Sequence, residues 1–369
     1  NTCLRTFIDV TVEGSGIDES DRPSKIPLKP GVRRLIVGNS CERGLVEDVD
    51  AMRVIKRGMD SNRDAYPNFM RIAGESVWRS PGAPNVSDPP AKVAATPAQR
   101  RRNALIARRE TLRIGIPRVL NQYSVNPLFA GYFESLGVAP RNIVYSSFTS
   151  EEMYRAGAKR GAIDPCFPSK VAIPHIHDLL HRVHRKRPLD LIFFPMIDAL
   201  PSPLVNTLGC RACPTVAATP AAAKAAFTKE GDVFAEMGIR FVDTFVNIDQ
   251  PRLMERQLWD DLKDVLGLGR KEHRRAIDAA YEALERFEAK LRRTARDALE
   301  ELEREERLGI VVLGRAYHND PGVGHEILDE FQRIGYPAFT QDSLPIDEDI
   351  LWRLFGDDVE AGRISHPMD

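Results

Sequence analysis

The feature that most constrains the fold is the alternation of short apolar segments with helical segments across residues 111–247. The segment 189–195, Leu-Asp-Leu-Ile-Phe-Phe-Pro, is typical of a strand buried on both faces. The pattern predicts strands at 113–119, 142–146, 189–197 and 240–246, and helices at 126–136, 149–160, 169–184 and 220–237. Alternation of this kind indicates a parallel sheet covered by helices, with ligands at the carboxyl ends of the strands.

A second unit of the same kind is predicted further along the chain. A long charged helix at 270–307 precedes an apolar strand at 308–313, a glycine-rich turn and a further helix. The predicted fold is therefore α/β, with two Rossmann-like parallel-sheet units linked by a long helix, behind an irregular N-terminal segment. The predicted boundaries are 1–110 for the N-terminal segment and linker, 111–250 for the first α/β domain, 251–307 for the helical connector and 308–369 for the start of the second domain.

Composition narrows the function classes. The 52 basic and 53 acidic side chains nearly cancel, which argues against a nucleic-acid binder. No apolar run approaches the roughly 18 residues of a membrane span, and no signal peptide is evident. Five cysteines in 369 residues do not form a disulfide scaffold, so a reducing cytoplasm is the expected location. The chain begins with Asn1, and we expect it to be a piece of a longer polypeptide.

The best indication of chemistry is a set of cysteines in proline-rich loops. Cys210 and Cys213 are three residues apart, and Cys166 lies upstream, before the helix that leads into the 189–197 strand. A shared site at one end of the sheet is geometrically reasonable. Iron–sulfur ligation, zinc binding, a redox dithiol and simple burial all stay open from spacing alone. A dithiol pair should open a helix, whereas the next helix is predicted only near Pro220.

Four further side chains are candidates for ligand contacts. His175 is expected near the start of the helix after Cys166, where it could line the same cavity, and Lys170 could help hold an anionic cluster or phosphate. Arg315 and His318 lie in the glycine-rich turn after the second unit's strand. That turn lacks the spacing of a nucleotide-binding loop, so a ligand contact and a purely structural turn are equally open.

Five segments together carry a resemblance to a known family. They are VGNSCERG (37–44), RIGIPRVLN (113–121), DPCFPSK (164–170), ACPTV (212–216) and GRAYHNDPG (314–322). In this order they resemble the large activase-related proteins of 2-hydroxyacyl-CoA dehydratases, over nearly the whole chain. The matching region of that family lies downstream of an ATPase module of the sugar-kinase and actin type. It is similar in fold to dehydratase subunits and double-cubane cluster proteins.

The resemblance implies an iron–sulfur cluster, either 4Fe-4S or double-cubane, in a protein that couples ATP hydrolysis to low-potential electron transfer. By resemblance, Cys166 and Cys213 are the best ligand candidates, followed by Cys210 and Cys41. The implied partners are an ATPase module, whose phosphate loop this sequence lacks, and an acyl-CoA dehydratase; a homodimer is an open alternative. The competing hypotheses are an α/β binding module for acyl-CoA or a partner subunit, and a zinc-stabilised structural domain.

Overall fold

The computed structural model describes residues 5–11, 32–39, 49–160, 166–202 and 210–368. They fall in two compact units, one within 1–65 and 333–335 and the other within 66–332 and 336–369. In the first unit, strand β1 (Arg5–Thr11) pairs antiparallel with β2 (Val32–Asn39), with a register shift between Thr6 and Phe7. Helix α1 (Val49–Ala65) follows these strands in the chain.

The second unit contains the remaining helices and strands. The helices are α2 (Phe69–Ser76), α3 (Pro97–Arg108), α4 (Gln122–Ser135), α5 (Glu151–Gly157), α6 (Phe167–Lys170), α7 (Ala172–Asp178), α8 (Pro214–Thr228), α9 (Val233–Glu236), α10 (Pro251–Leu266), α11 (Arg270–Arg304), α12 (Ile327–Arg333) and α13 (Glu348–Glu360). The strands are β3 (Ile114–Ile116), β4 (Ile143–Tyr145), β5 (Leu191–Phe193), β6 (Met196–Leu200), β7 (Cys210–Arg211), β8 (Arg240–Val242), β9 (Phe245–Asn247), β10 (Ile310–Val312) and β11 (Ala338–Thr340). After α7 the chain continues as a π-helix at Leu179–His184.

The central sheet is parallel throughout, in the order β4-β3-β5-β8. Every residue of β3 and β5 is buried, as expected of strands covered on both faces. Ile114 of β3 lies opposite Ile143 on one side and Leu191 on the other. The α/β fold with parallel-sheet units is therefore confirmed.

Two of the predicted strands each divide into two. Pro195 has no N–H to donate and interrupts the strand predicted at 189–197, which becomes β5 and β6. The strand predicted at 240–246 bends alongside it: Phe194 N donates to Val242 O at 2.9 Å and Met196 N donates to Thr244 O at 2.9 Å. Beyond the bend, β6 joins a second sheet in the order β7-β6-β9.

The helix after the cysteine pair begins earlier than predicted. Helix α8 starts at Pro214, directly after Cys213, and Pro220 lies within it. A proline at the first helical position is favourable because its missing N–H would have no helical partner there. The predicted start near Pro220 was therefore wrong, and with it the sequence argument that no helix opens at the cysteine pair.

The stretch before the first parallel sheet is more regular than the sequence suggested. It contains α2 and α3, whereas residues 80–96 carry neither helix nor strand. Thr96 and Gln99 form a capping box at the start of α3, with reciprocal bonds of 3.2 and 3.0 Å, and Pro97 takes the first helical position. This Thr-Pro-x-Gln pattern is readable from sequence as a helix start.

Helix α11 links the two α/β units through two apolar cores. Its N-terminal half contributes Ile277 and Leu284 to the core of the central sheet. Its C-terminal half contributes Leu291 and Leu302 to a smaller core that includes Phe339 of β11. The second α/β unit, which lies within the second compact unit, consists of the parallel pair β10 and β11 with α12 between them in the chain. The predicted long connecting helix is confirmed.

Among the residues that the structure describes, no helix is both long enough and apolar enough to cross a membrane. The predicted domain boundaries remain predictions.

Candidate functional site

Cys166 and Cys213 each occupy the residue immediately before a helix. The carbonyl of Cys166 accepts a hydrogen bond from Lys170 N at 3.0 Å, and that of Cys213 accepts one from Ala217 N at 2.9 Å. Both helices have a proline in their first two positions. The two cysteines are therefore held at positions where backbone N–H groups are exposed and a negative charge is favoured.

The two helix starts are joined by a buried hydrogen bond. Helices α6 and α8 pack against each other, and the Thr219 hydroxyl of α8 lies 2.9 Å from the Ser169 hydroxyl of α6. Thr219 donates its single hydroxyl proton to Thr215 O at 2.7 Å, within its own helix, and therefore accepts the proton of Ser169. This contact holds helices α6 and α8 next to each other.

The surroundings of Cys213 favour its thiolate. Its side chain is exposed, and its pKa is lowered by hydrogen bonds from the backbone N–H groups of Val216 and Thr215. The Thr215 hydroxyl and the positive charge of Arg315 act in the same direction. A thiolate is the nucleophilic and metal-binding form of cysteine, so these surroundings activate Cys213.

The turn after β10 brings a third segment to the cysteines. Burial raises the pKa of Tyr317, Arg315 lowers it, and the negative charges of Cys166 and Cys213 raise it further. Both thiols are therefore close enough to the Tyr317 phenol to influence its ionisation. The described parts of three of the segments quoted from the sequence thus lie near one another, around Cys166, Cys213 and Tyr317.

The other candidate cysteines are placed less centrally. Cys210 lies in β7, is partly exposed and is opposite Leu200 of β6. Cys41 and Cys3 lie outside the described residues. Within the part of the chain that the structure describes, no group of three or more His, Cys, Asp or Glu side chains is arranged to hold a metal ion.

Of the other candidate residues, Lys170 lies in α6, whereas Arg315 and His318 lie in the turn after β10. Lys170 ends α6, one helical turn after Cys166. His318 lines a small cavity at the carboxyl ends of β10 and β11, together with Arg315 and Thr340. The Nδ1 atom of His318 lies 3.0 Å from Arg315 O, and because a carbonyl only accepts, this nitrogen carries the proton.

His175 lies elsewhere than expected. Its ring is fully buried, and burial lowers its pKa to about 3, so it is neutral. Nδ1 is 2.6 Å from the Ser146 hydroxyl and Nε2 is 2.8 Å from the Thr149 hydroxyl. Both ring nitrogens are thus used inside the fold, and His175 contributes to a buried network behind the carboxyl ends of the central strands.

The hydrogen bonds of this network all donate in the same order, from the backbone N–H of Arg118 towards the carboxylate of Asp320. Arg118 N donates to the Ser146 hydroxyl at 2.8 Å, and Ser146 in turn faces Nδ1 of His175. The Thr149 hydroxyl donates to the carboxylate of Asp320, so it accepts from the Nε2–H of His175. Asp320 lies in the turn that follows β10, and the network therefore ties the 314–322 turn to the central sheet.

Close backbone packing supports the same junction. A Cβ atom on Gly322 would lie 2.6 Å from three atoms of Thr149, so only glycine fits there without displacement. Gly322 N also donates to the Asp320 carboxylate at 2.9 Å. Sequence reasoning singled out the 314–322 turn but missed the roles of Asp320, Thr149 and Ser146.

The described chain is a two-unit α/β scaffold in which two cysteines at helix starts, Cys166 and Cys213, lie near the turn that follows β10. Residues 113–344 match the family described as the CoA enzyme activase uncharacterised domain, and the chain belongs to this family. The matched range runs from the first parallel strand past the last, and the predicted relation to activases of CoA enzymes is confirmed. Neither the search of curated proteins nor that of solved structures found a match. An activase-related role follows from the family.

Proposed function

We propose that this chain is the iron–sulfur electron-transfer module of an activase of CoA enzymes, with Cys166 and Cys213 as cluster ligands. The observation that carries the proposal is the convergence of two cysteine-bearing helix starts on Tyr317, with the pKa of the Cys213 thiol lowered. Soft thiolate donors of this kind match the ligand preference of iron–sulfur clusters.

The residues around the thiols suit such a group. When bound, a cluster would supply one-electron transfer at low potential. The N–H groups at the start of α8 and the Arg315 guanidinium would stabilise the negative charge that thiolate ligation brings. Lys170, one turn beyond Cys166, would add a second positive charge. Hydrogen bonds to the sulfur atoms would then tune the reduction potential.

The proposed ligand set extends beyond two thiols. A 4Fe-4S cluster takes about four cysteine ligands, and we propose Cys210 as a further one. Cys210 precedes Cys213 by three residues but lies in a strand, whereas both thiols of a thioredoxin-type pair lie at the start of a helix. This difference favours ligation over a dithiol reaction.

The proposed partners follow from the same role. ATP hydrolysis would take place in a separate ATPase module, since this sequence has no phosphate-binding loop of that kind. The electrons would pass to an acyl-CoA dehydratase or a related enzyme of difficult reductions, in the cytoplasm.

The proposal predicts which cysteines retain iron. Protein prepared without oxygen and reconstituted with iron and sulfide should bind both in comparable amounts. The Cys213→Ser and Cys166→Ser variants should each lose most of that iron, because a hydroxyl is a poor replacement for a soft thiolate. Iron, acid-labile sulfide and zinc are measured on the same samples, with circular dichroism as the check on folding.

The three outcomes separate the hypotheses. Zinc without sulfide would indicate a structural zinc domain, and iron unchanged in both serine variants would exclude these cysteines as ligands. Neither metal in protein that contains the ATPase module would favour a binding module for acyl-CoA or a partner subunit. Thr228→Ser, a conservative change at the far end of α8, serves as the matched control.

A further inference from the structure

A second basic group lies at the carboxyl end of the central sheet, apart from the thiols. Arg118 follows β3 after a single proline, and its guanidinium lies over three aromatic rings. The distances from its Cζ atom to the ring centroids are 4.1 Å for Phe148, 5.4 Å for Tyr145 and 5.5 Å for Trp78. The guanidinium is thus fixed in orientation and partly removed from water.

The acidic side chains near Arg118 are engaged elsewhere. Asp178 forms an ion pair with Arg182 at 2.7 Å. Asp320 accepts hydrogen bonds from Thr149 and from Gly322 N. Burial lowers the pKa of Arg118 and the positive charge of Arg182 lowers it further, whereas Tyr123, Tyr145 and Asp320 raise it, and the side chain stays charged. Among the described residues, no carboxylate forms a direct ion pair with Arg118.

Two hydrogen-bond donors in this cluster are left without acceptors. The Nε atom of Arg118 and the indole Nε1 of Trp78 are buried, and neither finds a partner within the described part of the chain. The Trp78 ring packs against those of Tyr123 and Tyr145, at centroid distances of 4.9 and 5.1 Å. A buried donor without an acceptor costs free energy that a bound acceptor would recover.

We propose that Arg118 and Trp78 form a binding site for an oxyanion, a phosphate or carboxylate group of a small-molecule ligand. A planar guanidinium recognises two oxygens of such a group at once, and its stacking on Phe148 leaves that fork pre-oriented. The position fits the rule that ligands of parallel sheets bind beyond the carboxyl ends of the strands. The site is independent of the proposed cluster, since it uses none of the cysteines.

The test is calorimetric titration of the full chain with inorganic pyrophosphate and, separately, with malonate. We expect one of these anions to bind at a single site, with affinity that falls as salt is added. Arg118→Gln should weaken binding about 10- to 100-fold, the range expected for loss of charged hydrogen bonds. Trp78→Phe keeps an aromatic side chain but removes the indole N–H donor, and should weaken binding several-fold. The anion that binds identifies the chemical class.

The Arg315→Gln variant is the control for a general basic surface. It should bind the anion as the wild type does, because Arg315 lies at the thiols and not in the aromatic cluster. Binding lost with Arg315→Gln but kept with Arg118→Gln would overturn the proposal, as would failure of the wild type to bind either anion. Should Arg118→Gln not fold, Trp78→Phe decides: affinity unchanged in that variant contradicts the site.

Discussion

At the residue scale, Cys213 and His175 show opposite effects of their surroundings on ionisation. Cys213 is exposed and receives backbone N–H groups, so its charged form is stabilised. His175 is fully buried between two hydroxyls, so its neutral form is stabilised. Both residues were singled out from sequence as members of one site, and their burial separates them into a reactive and a structural role.

The charge environment of Cys213 predicts the pH dependence of its reactivity. Alkylation by iodoacetamide, followed residue by residue with mass spectrometry, should have its midpoint below the ordinary thiol value of 9.0. Arg315→Gln should shift the midpoint upward, because the thiolate loses a favourable charge. Arg100→Gln, on the exposed face of α3, should leave it unchanged. A midpoint that does not move in Arg315→Gln would show that the arginine has no influence on the thiol.

At the scale of elements, the parallel sheet and the long helix were predictable because both follow from hydrophobic periodicity. The start of α8 was not, since Pro214 and Pro220 are both acceptable first residues of a helix and only packing distinguishes them. The candidate site was predictable in part. Cys166 and Cys213 stand out by composition, whereas the bond between Thr149 and Asp320 joins residues 171 positions apart and leaves no local signal.

The junction between the turn and the first sheet gives a prediction at this scale. Gly322→Ala would place a Cβ atom 2.6 Å from Thr149 and should destabilise the fold by about 1–3 kcal/mol, the usual cost of overpacking. Gly58→Ala is the control, because Gly58 lies in α1 with no atom of the described residues within 4 Å of the added atom, and the variant should gain up to about 1 kcal/mol. Urea unfolding measures the stability of both variants. Equal changes in the free energy of unfolding would contradict the close contact between Gly322 and Thr149.

At the scale of the whole second compact unit, residues 66–332 and 336–369, a buried ion pair connects four helices. Arg109, after α3, pairs with Glu272 of α11 at 2.7 Å, and both side chains are buried. The same guanidinium donates to backbone carbonyls of Leu266 and Gly267 at the end of α10 and of Leu136 at the end of α4. Each donor therefore has an acceptor, which a buried charge requires.

Breaking this pair should be costly. Arg109→Met removes an ion-pair partner of the buried Glu272 carboxylate, and it leaves three backbone carbonyls without the hydrogen bonds that the guanidinium donated. We expect a loss of about 3–5 kcal/mol in the free energy of unfolding at pH 7. Arg275→Met, which removes a more exposed partner of Asp88, should lose at most about 1 kcal/mol. Urea denaturation measures the free energy of unfolding of both variants. Similar losses would mean that the buried ion pair of Arg109 contributes no more to stability than the exposed pair of Arg275.

The same pair predicts how stability depends on pH. Burial alone would raise the pKa of Glu272, but hydrogen bonds from Arg109 and Gly269 N hold it below the ordinary value of 4.5. A carboxyl whose pKa is lower in the folded state stabilises the fold above pH 4.5 and loses that contribution as the pH falls further. Wild-type stability should therefore fall over this acidic range, more steeply than that of Glu272→Gln.

Helix α11 has a mechanical consequence for the whole unit. Its 35 residues extend over roughly 52 Å at about 1.5 Å per residue, and its two halves are anchored in different cores. If β10 and β11 rotated as a body relative to the central sheet, α11 would have to bend or lose its packing in one of the two cores. Relative movement is therefore confined to bending or to small sliding of packed side chains, so the basic turn keeps a nearly constant offset from the thiols.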